Sequence, residues 1–277
     1  MTEDNKPVSA VQILNAMGQQ LEQAIPEGGP RAEQYQRMMI ALLKKNPDVA
    51  ACTPTSIQNV ALEIAQLGLL PDNTLGQAYV LPFKDKGVPK AQYILGYRGM
   101  IELCCRGGDV AKVEPRCVLE GDVFQYEYGL QPALRHVPAS DTGEEKPVVA
   151  AYVVWHYRDR SVDPSFYVMS KKAVDRVRKR SKSGKSGPWQ TDYEAMAMKT
   201  VIRHSAKYQR VSLQALHAIQ SDEERELSLE PRDLGTFKTP TNVATDELDG
   251  LFGAAAEGAE ARLVDQPVEE KKEETPF

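Results

Sequence analysis

Between Ser170 and Arg210 the chain carries twelve lysines and arginines against three acids, a net of +9. The whole chain of 277 residues is net −5. Any fold must keep such a block at the surface and away from the acid elsewhere. The commonest reason to hold cations apart in this way is a polyanion, above all nucleic acid. The charge is segregated along the chain as well. Residues 221–277 hold sixteen acids and six bases, a net of −10, which leaves residues 1–220 at +5. This describes a basic globular body followed by an acidic tail that is largely disordered.

The length suffices for a full hydrophobic core in one or two domains. No run of about 18 apolar residues exists, so no membrane helix is expected. The segment from Met1 to Pro7 is polar and lacks the apolar core of a secretion signal. Cys52, Cys104, Cys105 and Cys117 form no C-x-x-C pair and read as free thiols of a reducing cytosol.

Apolar spacing divides the chain. Residues 1–30 form a flexible or partly helical segment in which Val11, Leu14, Met17 and Leu21 recur at helical spacing. Helices are expected over Arg31–Lys45 and from a cap at Thr55 or Ser56 to Gly68, which suits a left-handed C-terminal cap. The period then falls to two. Ala78–Phe83 and Ala91–Leu95 form a hairpin across Lys84–Lys90, followed by a short helix over Arg98–Arg106. Strands are expected at Val110–Leu119, Val123–Tyr128, Val148–Tyr157 and Ser165–Met169, with Gln131–Pro147 a loop. Ser170 caps a helix through Arg180, Ser181–Pro188 is a mobile basic loop, and a further helix covers Thr191–Tyr208. The fold class is α+β: an antiparallel β-sheet backed by helices. The organisation is an N-terminal segment (1–30), a DNA-binding and oligomerising body (31–220) and the acidic tail (221–277).

Several chemistries find no support. Gly184-Lys185-Ser186 lacks the first glycine of a P-loop, because Lys179 stands there, and no buried strand precedes it. Asp122 with Glu144 and Lys146 has the outline of a metal nuclease site, yet Glu144 and Lys146 fall in a loop where solvated charge is the plainer reading. His136, His156, His204 and His217 show no ligand spacing. No cofactor or metal is called for, and a binding protein rather than an enzyme is expected.

The basic block has internal order. Lys199, Arg203 and Lys207 recur at steps of four, placing three cations on one helix face. Lys172, Arg176 and Lys179 do the same on the preceding helix, and the loop between adds Lys182 and Lys185. Trp189 ends that loop, either as core or as a platform for a base. Tyr97-Arg98 sits between Gly96 and Gly99, where backbone comes close to a ligand. With no base-reading motif in view, sequence-tolerant phosphate contacts are expected.

Six motifs in order resemble one family. They are Gln66-Leu67-Gly68-Leu69 with Pro71; Gly76-x-Ala78-Tyr79-x-Leu81-Pro82-Phe83; Gly96-Tyr97-Arg98-Gly99-Met100-Ile101; Glu120-Gly121-Asp122 with Phe124; Gly187-Pro188-Trp189; and Met196-x-x-Lys199-Thr200-x-Ile202-Arg203. Together they resemble the RecT family of phage single-strand annealing recombinases. The resemblance implies a Rad52-like core and ATP-independent annealing of complementary single-stranded DNA, with an annealed duplex intermediate. It further implies rings or helical filaments of identical subunits, a phage exonuclease partner and action in the bacterial cytoplasm. It nominates Arg98, Trp189, Lys199 and Arg203 for DNA binding. Charge alone adds Lys171, Lys172, Lys182, Lys185 and Lys207. The terminal Pro276-Phe277 after acidic residues resembles the tip of bacterial single-strand-binding proteins, which points to the host single-strand-binding protein or its partners. The alternatives are a metal-dependent nuclease and a structural RNA-binding protein.

Overall fold

A computed structural model describes residues 9–140, 146–181, 184–185 and 187–228, all within one compact unit. The readings made for Met1–Val8, Glu144, Lys182, Ser186 and residues 229–277, including the terminal tip, lie outside the described residues.

The chain opens with α1 (Ala10–Ala16), which starts in a capping box between Ser9 and Gln12, and α2 (Gly18–Ala24). Leu14, Met17 and Leu21 are buried against α3 (Ala32–Lys45) and α5 (Pro54–Gln66), with α4 (Pro47–Ala50) between those two. Residues 9–30 share the main core because the three apolar side chains face it on consecutive turns. Helix α5 begins at Pro54 after Thr53, earlier than the expected caps Thr55 and Ser56. The fixed φ of proline suits the first helical position.

Next come β1 (Ala78–Asp85) and β2 (Val88–Leu95), an antiparallel hairpin turning on Lys86-Gly87, and α6 (Tyr97–Arg106). The larger sheet is three-stranded and antiparallel, in the order β3 (Val110–Leu119), β6 (Val148–Tyr157), β7 (Ser165–Ser170). Alternation along β6 assigns its faces. Ala151, Val153 and Trp155 join the main core, and Trp155 Nε1 donates to Ser205 Oγ at 3.1 Å. Ala150 and Tyr152 face the other way, toward a second hairpin of β4 (Val123–Glu127) and β5 (Ala133–Val137), through Phe124 and Leu134. Strand β5 corrects the expected loop over Gln131–Pro147. Only five residues pair, and its inward His136 and outward Arg135 gave no apolar alternation to read.

Helices α7 (Lys171–Arg180), α8 (Pro188–Thr191), α9 (Tyr193–Ala206) and α10 (Leu213–Ser228) complete the body. The Ser170 hydroxyl caps α7 by accepting from Ala173 N–H, and Asp192 caps α9 through Ala195 N–H. Helix α10 packs on the body. Its Ala215, Ala218 and Ile219 are core residues, and it runs through 221–228, the start of the acidic segment. The fold is thus a mixed α and β body with antiparallel sheets, helices on one face of the larger sheet and a hairpin on the other.

Candidate nucleic-acid interface

The approach of the first hairpin to α6 positions the first cation. Gly96 N–H donates to the Gln77 carbonyl at 3.0 Å. A Cβ on Gly96 would lie 2.0 Å from the Gly76 carbonyl oxygen, and one on Gly99 would lie 2.2 Å from that of Gln77. Only glycine permits this contact. It sets Tyr97 and Arg98 on the first turn of α6, next to Tyr79. Arg98 is exposed, and its Nε donates to the Tyr97 hydroxyl at 3.3 Å.

Helix α7 supplies the main basic face. Lys172, Arg176 and Lys179 are exposed at steps of four and three, as their spacing predicts. Its inner side is tied to α9. Lys171 Nζ lies 2.6 Å from an Asp175 oxygen and 5.3 Å from the centre of the Tyr193 ring, while the Tyr193 hydroxyl donates to Asp175 at 2.9 Å. Burial, then the Asp175 hydrogen bond, push the Tyr193 hydroxyl well up from its ordinary pKa. Arg178 Nε donates to the Gly184 carbonyl at 2.7 Å, which fastens the following loop to the helix. Lys185 stands exposed on that loop. The loop follows a helix, where a P-loop would follow a strand. Lys207 is exposed beyond the end of α9, 5.1 Å from the ring centre of the exposed Tyr208.

Three nominated residues are placed otherwise. Lys199 and Arg203 are buried at 4% and 8% exposure, so the expected solvent-facing cationic face on α9 is corrected. Lys199 Nζ lies 2.8 Å from Asp222, and one Arg203 nitrogen donates to both Asp222 and Glu226 at 2.7 Å. The other Asp222 oxygen accepts from Leu95 N–H at 2.7 Å, locking β2 into the network. Burial opposes the charge on Glu226, but Lys199 and Arg203 outweigh it and hold the carboxyl down at about 2. Two cations and two carboxylates thus neutralise one another between α9 and α10. Spacing placed Lys199 and Arg203 on one face correctly but could not say what that face meets. The acids that meet it were read as tail. Trp189, at 1% exposure, is a core residue beside Tyr193, with ring centres 6.0 Å apart, and offers no open face for a base.

Asp122 is likewise occupied. Its carboxylate accepts from Ala139 and Leu119 N–H at 2.8 Å each and lies 3.0 Å from His136 Nε2, while His136 Nδ1 meets the Tyr152 hydroxyl at 3.1 Å. The Ala139 bond is the main cause that holds its carboxyl down at about 2. It pins the second hairpin to the sheet. Lys146 turns away to the Ser140 carbonyl. Among the described residues no group of three or more His, Cys, Asp or Glu is placed to hold a metal. Among them, too, no helix is long and apolar enough to cross a membrane, and all four cysteines are free.

Sequence reading missed an apolar cleft beside Arg98. Tyr79 and Ile94 of the first hairpin and Tyr97 of α6 form one wall, with Pro188, Ala195 and Met196 opposite. Its cavity volume is about 60 Å³. Four of the six motifs supply most of this lining, the only signal for it in the sequence.

The arrangement defines a mixed α and β protein with an exposed cationic helix face and an apolar cleft nearby. The RecT family pattern matches residues 33–234, and the chain belongs to that family. It is 39% identical over 222 residues to Protein RecT of Escherichia coli (strain K12), covering 79% of this chain and 81% of that protein. It is also 25% identical over 264 residues to Uncharacterized protein YqaK of Bacillus subtilis (strain 168), covering 90% and 84%.

Proposed function

We propose that this RecT-family protein is a recombination protein that binds single-stranded DNA by its phosphates and anneals complementary strands without ATP. The exposed face of Lys172, Arg176 and Lys179 carries this reading, extended by Lys185 and Lys207 and, at the cleft, by Arg98. Lys171, shared with Asp175, is a secondary contact; Lys182 is nominated on charge alone. Lys199, Arg203 and Trp189 act as positioning residues, because their side chains are spent inside the body.

The mechanism needs no bond made or broken by the protein. Cations offset the repulsion between two phosphate backbones. A strand held by its phosphates leaves its base edges open to a partner. Pairing then supplies the drive, roughly 1.4 kcal/mol per stacked step. Identical subunits in a ring or filament join short basic faces into one track, so weak contacts add by multivalency. In this reading the sheet and its helices are a Rad52-like core. A phage exonuclease supplies the single strand in the bacterial cytoplasm, and the acidic tail meets the host single-strand-binding protein or its partners.

The test is annealing of two labelled complementary strands with and without nucleotide, followed by sizing of the strands. Equal rates and intact strands are expected. A strict need for ATP would refute the mechanism, and metal-dependent shortening of the strands would point to a nuclease instead.

A further inference from the structure

We propose that the cleft between the first hairpin and the α8–α9 corner receives the tip of the β4–β5 hairpin of a second copy of this chain, with Leu130 as the inserted side chain. The proposal rests on the assembly of identical subunits proposed above and names the two surfaces that would join them.

The cleft is sized for a side chain. Its walls are almost wholly apolar, and its volume of about 60 Å³ holds about four to six water-sized groups. That is room for the carbons of one leucine side chain. It is too little for a separate ligand, which usually takes roughly 300 Å³ or more.

The same chain offers a matching projection. The second hairpin turns between β4 and β5, and Leu130 on that turn is fully exposed, more so than any other large apolar side chain among the described residues. A single exposed leucine ordinarily means little. Here the end of the hairpin is also held in place. The Tyr128 ring stacks on Phe166 with centres 5.2 Å apart, and its hydroxyl accepts from Val168 N–H at 3.0 Å. A projection fixed before contact loses less freedom on docking. Tyr126, its ring centre 5.4 Å from that of Tyr128, adds exposed aromatic surface beside it.

Charge and topology select another copy as the occupant. Glu127 is exposed at the end of β4, beside the tip. Arg98 is exposed at the rim of the cleft: its stem passes 3.6 Å from the point where a Cβ on Gly76 would stand, and the hydroxyl of Tyr79, on the cleft wall, lies 3.0 Å from the same point. Asp192 on the opposite wall is turned to the helix it caps, accepting from Ala195 N–H. Docking therefore brings an acid to a cation as well as an apolar side chain to an apolar hole. Within one copy the tip and the cleft are kept apart, because the hairpin covers one face of the larger sheet and α9 packs on the other. A contact between two unlike surfaces of one chain repeats from copy to copy and builds a ring or a filament.

The test sizes the full chain by analytical ultracentrifugation, alone and with a single strand. Wild type should form assemblies larger than a dimer. Leu130→Asp removes the projection and should raise the concentration at which copies associate by roughly 10- to 150-fold. Leu130 is fully exposed, so this variant should keep its fold and suffices alone. Ala195→Leu or, from the other wall, Ile94→Phe fills the cleft and should have the same effect, with circular dichroism to check folding. A folded cleft variant mixed in equal amounts with Leu130→Asp leaves one good tip and one good cleft, so the mixture should form dimers and stop there. Folded variants that assemble like wild type, or a mixture that stays as dissociated as its components, would overturn the contact. Wild type that stays a single copy, alone and on a strand, would instead remove the ring or filament reading on which the contact rests.

Discussion

Replacing Arg203 by Ala should unfold the protein more readily rather than weaken a DNA contact. Asp222 and Glu226 would remain buried with Lys199 as their partner in the network, 2.8 Å from one carboxylate and 3.6 Å from the other. Two buried negative charges would then face one positive charge. Removing one partner of a buried ion pair costs about 3–5 kcal/mol, and the surviving Lys199 contacts place this case near 3. Urea denaturation at pH 7 measures it directly. The same network predicts the acid response. Glu226 is held at about 2 in the folded protein against an ordinary 4.5, so its contribution is complete above pH 4.5 and is lost as pH falls toward 2. That depression is worth on the order of 3 kcal/mol. Glu226→Gln should therefore flatten the fall in stability over this interval. A loss below about 1 kcal/mol for Arg203→Ala, together with weakened strand binding, would refute the reasoning and return Arg203 to the DNA surface.

Three further outcomes are expected. Lys172→Ala, Arg176→Ala and Lys179→Ala should each reduce the slope of log affinity against log salt by about 0.7 while stability stays within about 0.5 kcal/mol, read by strand titration and melting. Trp189→Ala should cost about 3–5 kcal/mol in denaturation, and any DNA defect should follow the folded fraction. Gly99→Ala should fail to fold or lose the first hairpin, because its Cβ would meet a backbone carbonyl at 2.2 Å; amide exchange over Ala78–Leu95 would report it.

Much of the fold was legible because its signals are local. The Ser170 cap, the period-two runs of β1, β2, β3 and β6 and the left-handed Gly68 depend on near neighbours in sequence. Strand β5 was hidden because five residues with an inward, half-buried histidine and an outward arginine carry little alternation. The α7 face was legible because exposure is the default for charge. Lys199 and Arg203 were misplaced for the same reason. Their burial depends on Asp222 and Glu226, about twenty residues on, one turn apart in a segment whose acidity resembles a tail. The run of Ala215, Ala218 and Ile219 just before those acids was the available hint. The cleft beside Arg98 was out of reach, since it forms between elements about a hundred residues apart.

The most direct test is the annealing rate of complementary strands, without nucleotide, for wild type and for the triple variant Lys172→Ala, Arg176→Ala, Lys179→Ala. All three side chains are exposed, so the variant should keep its fold. Wild type should accelerate annealing, and the variant should lose most of the acceleration, recovering part of it at lower salt. A folded triple variant that anneals as fast as wild type would contradict the claim that this helix face holds the strand.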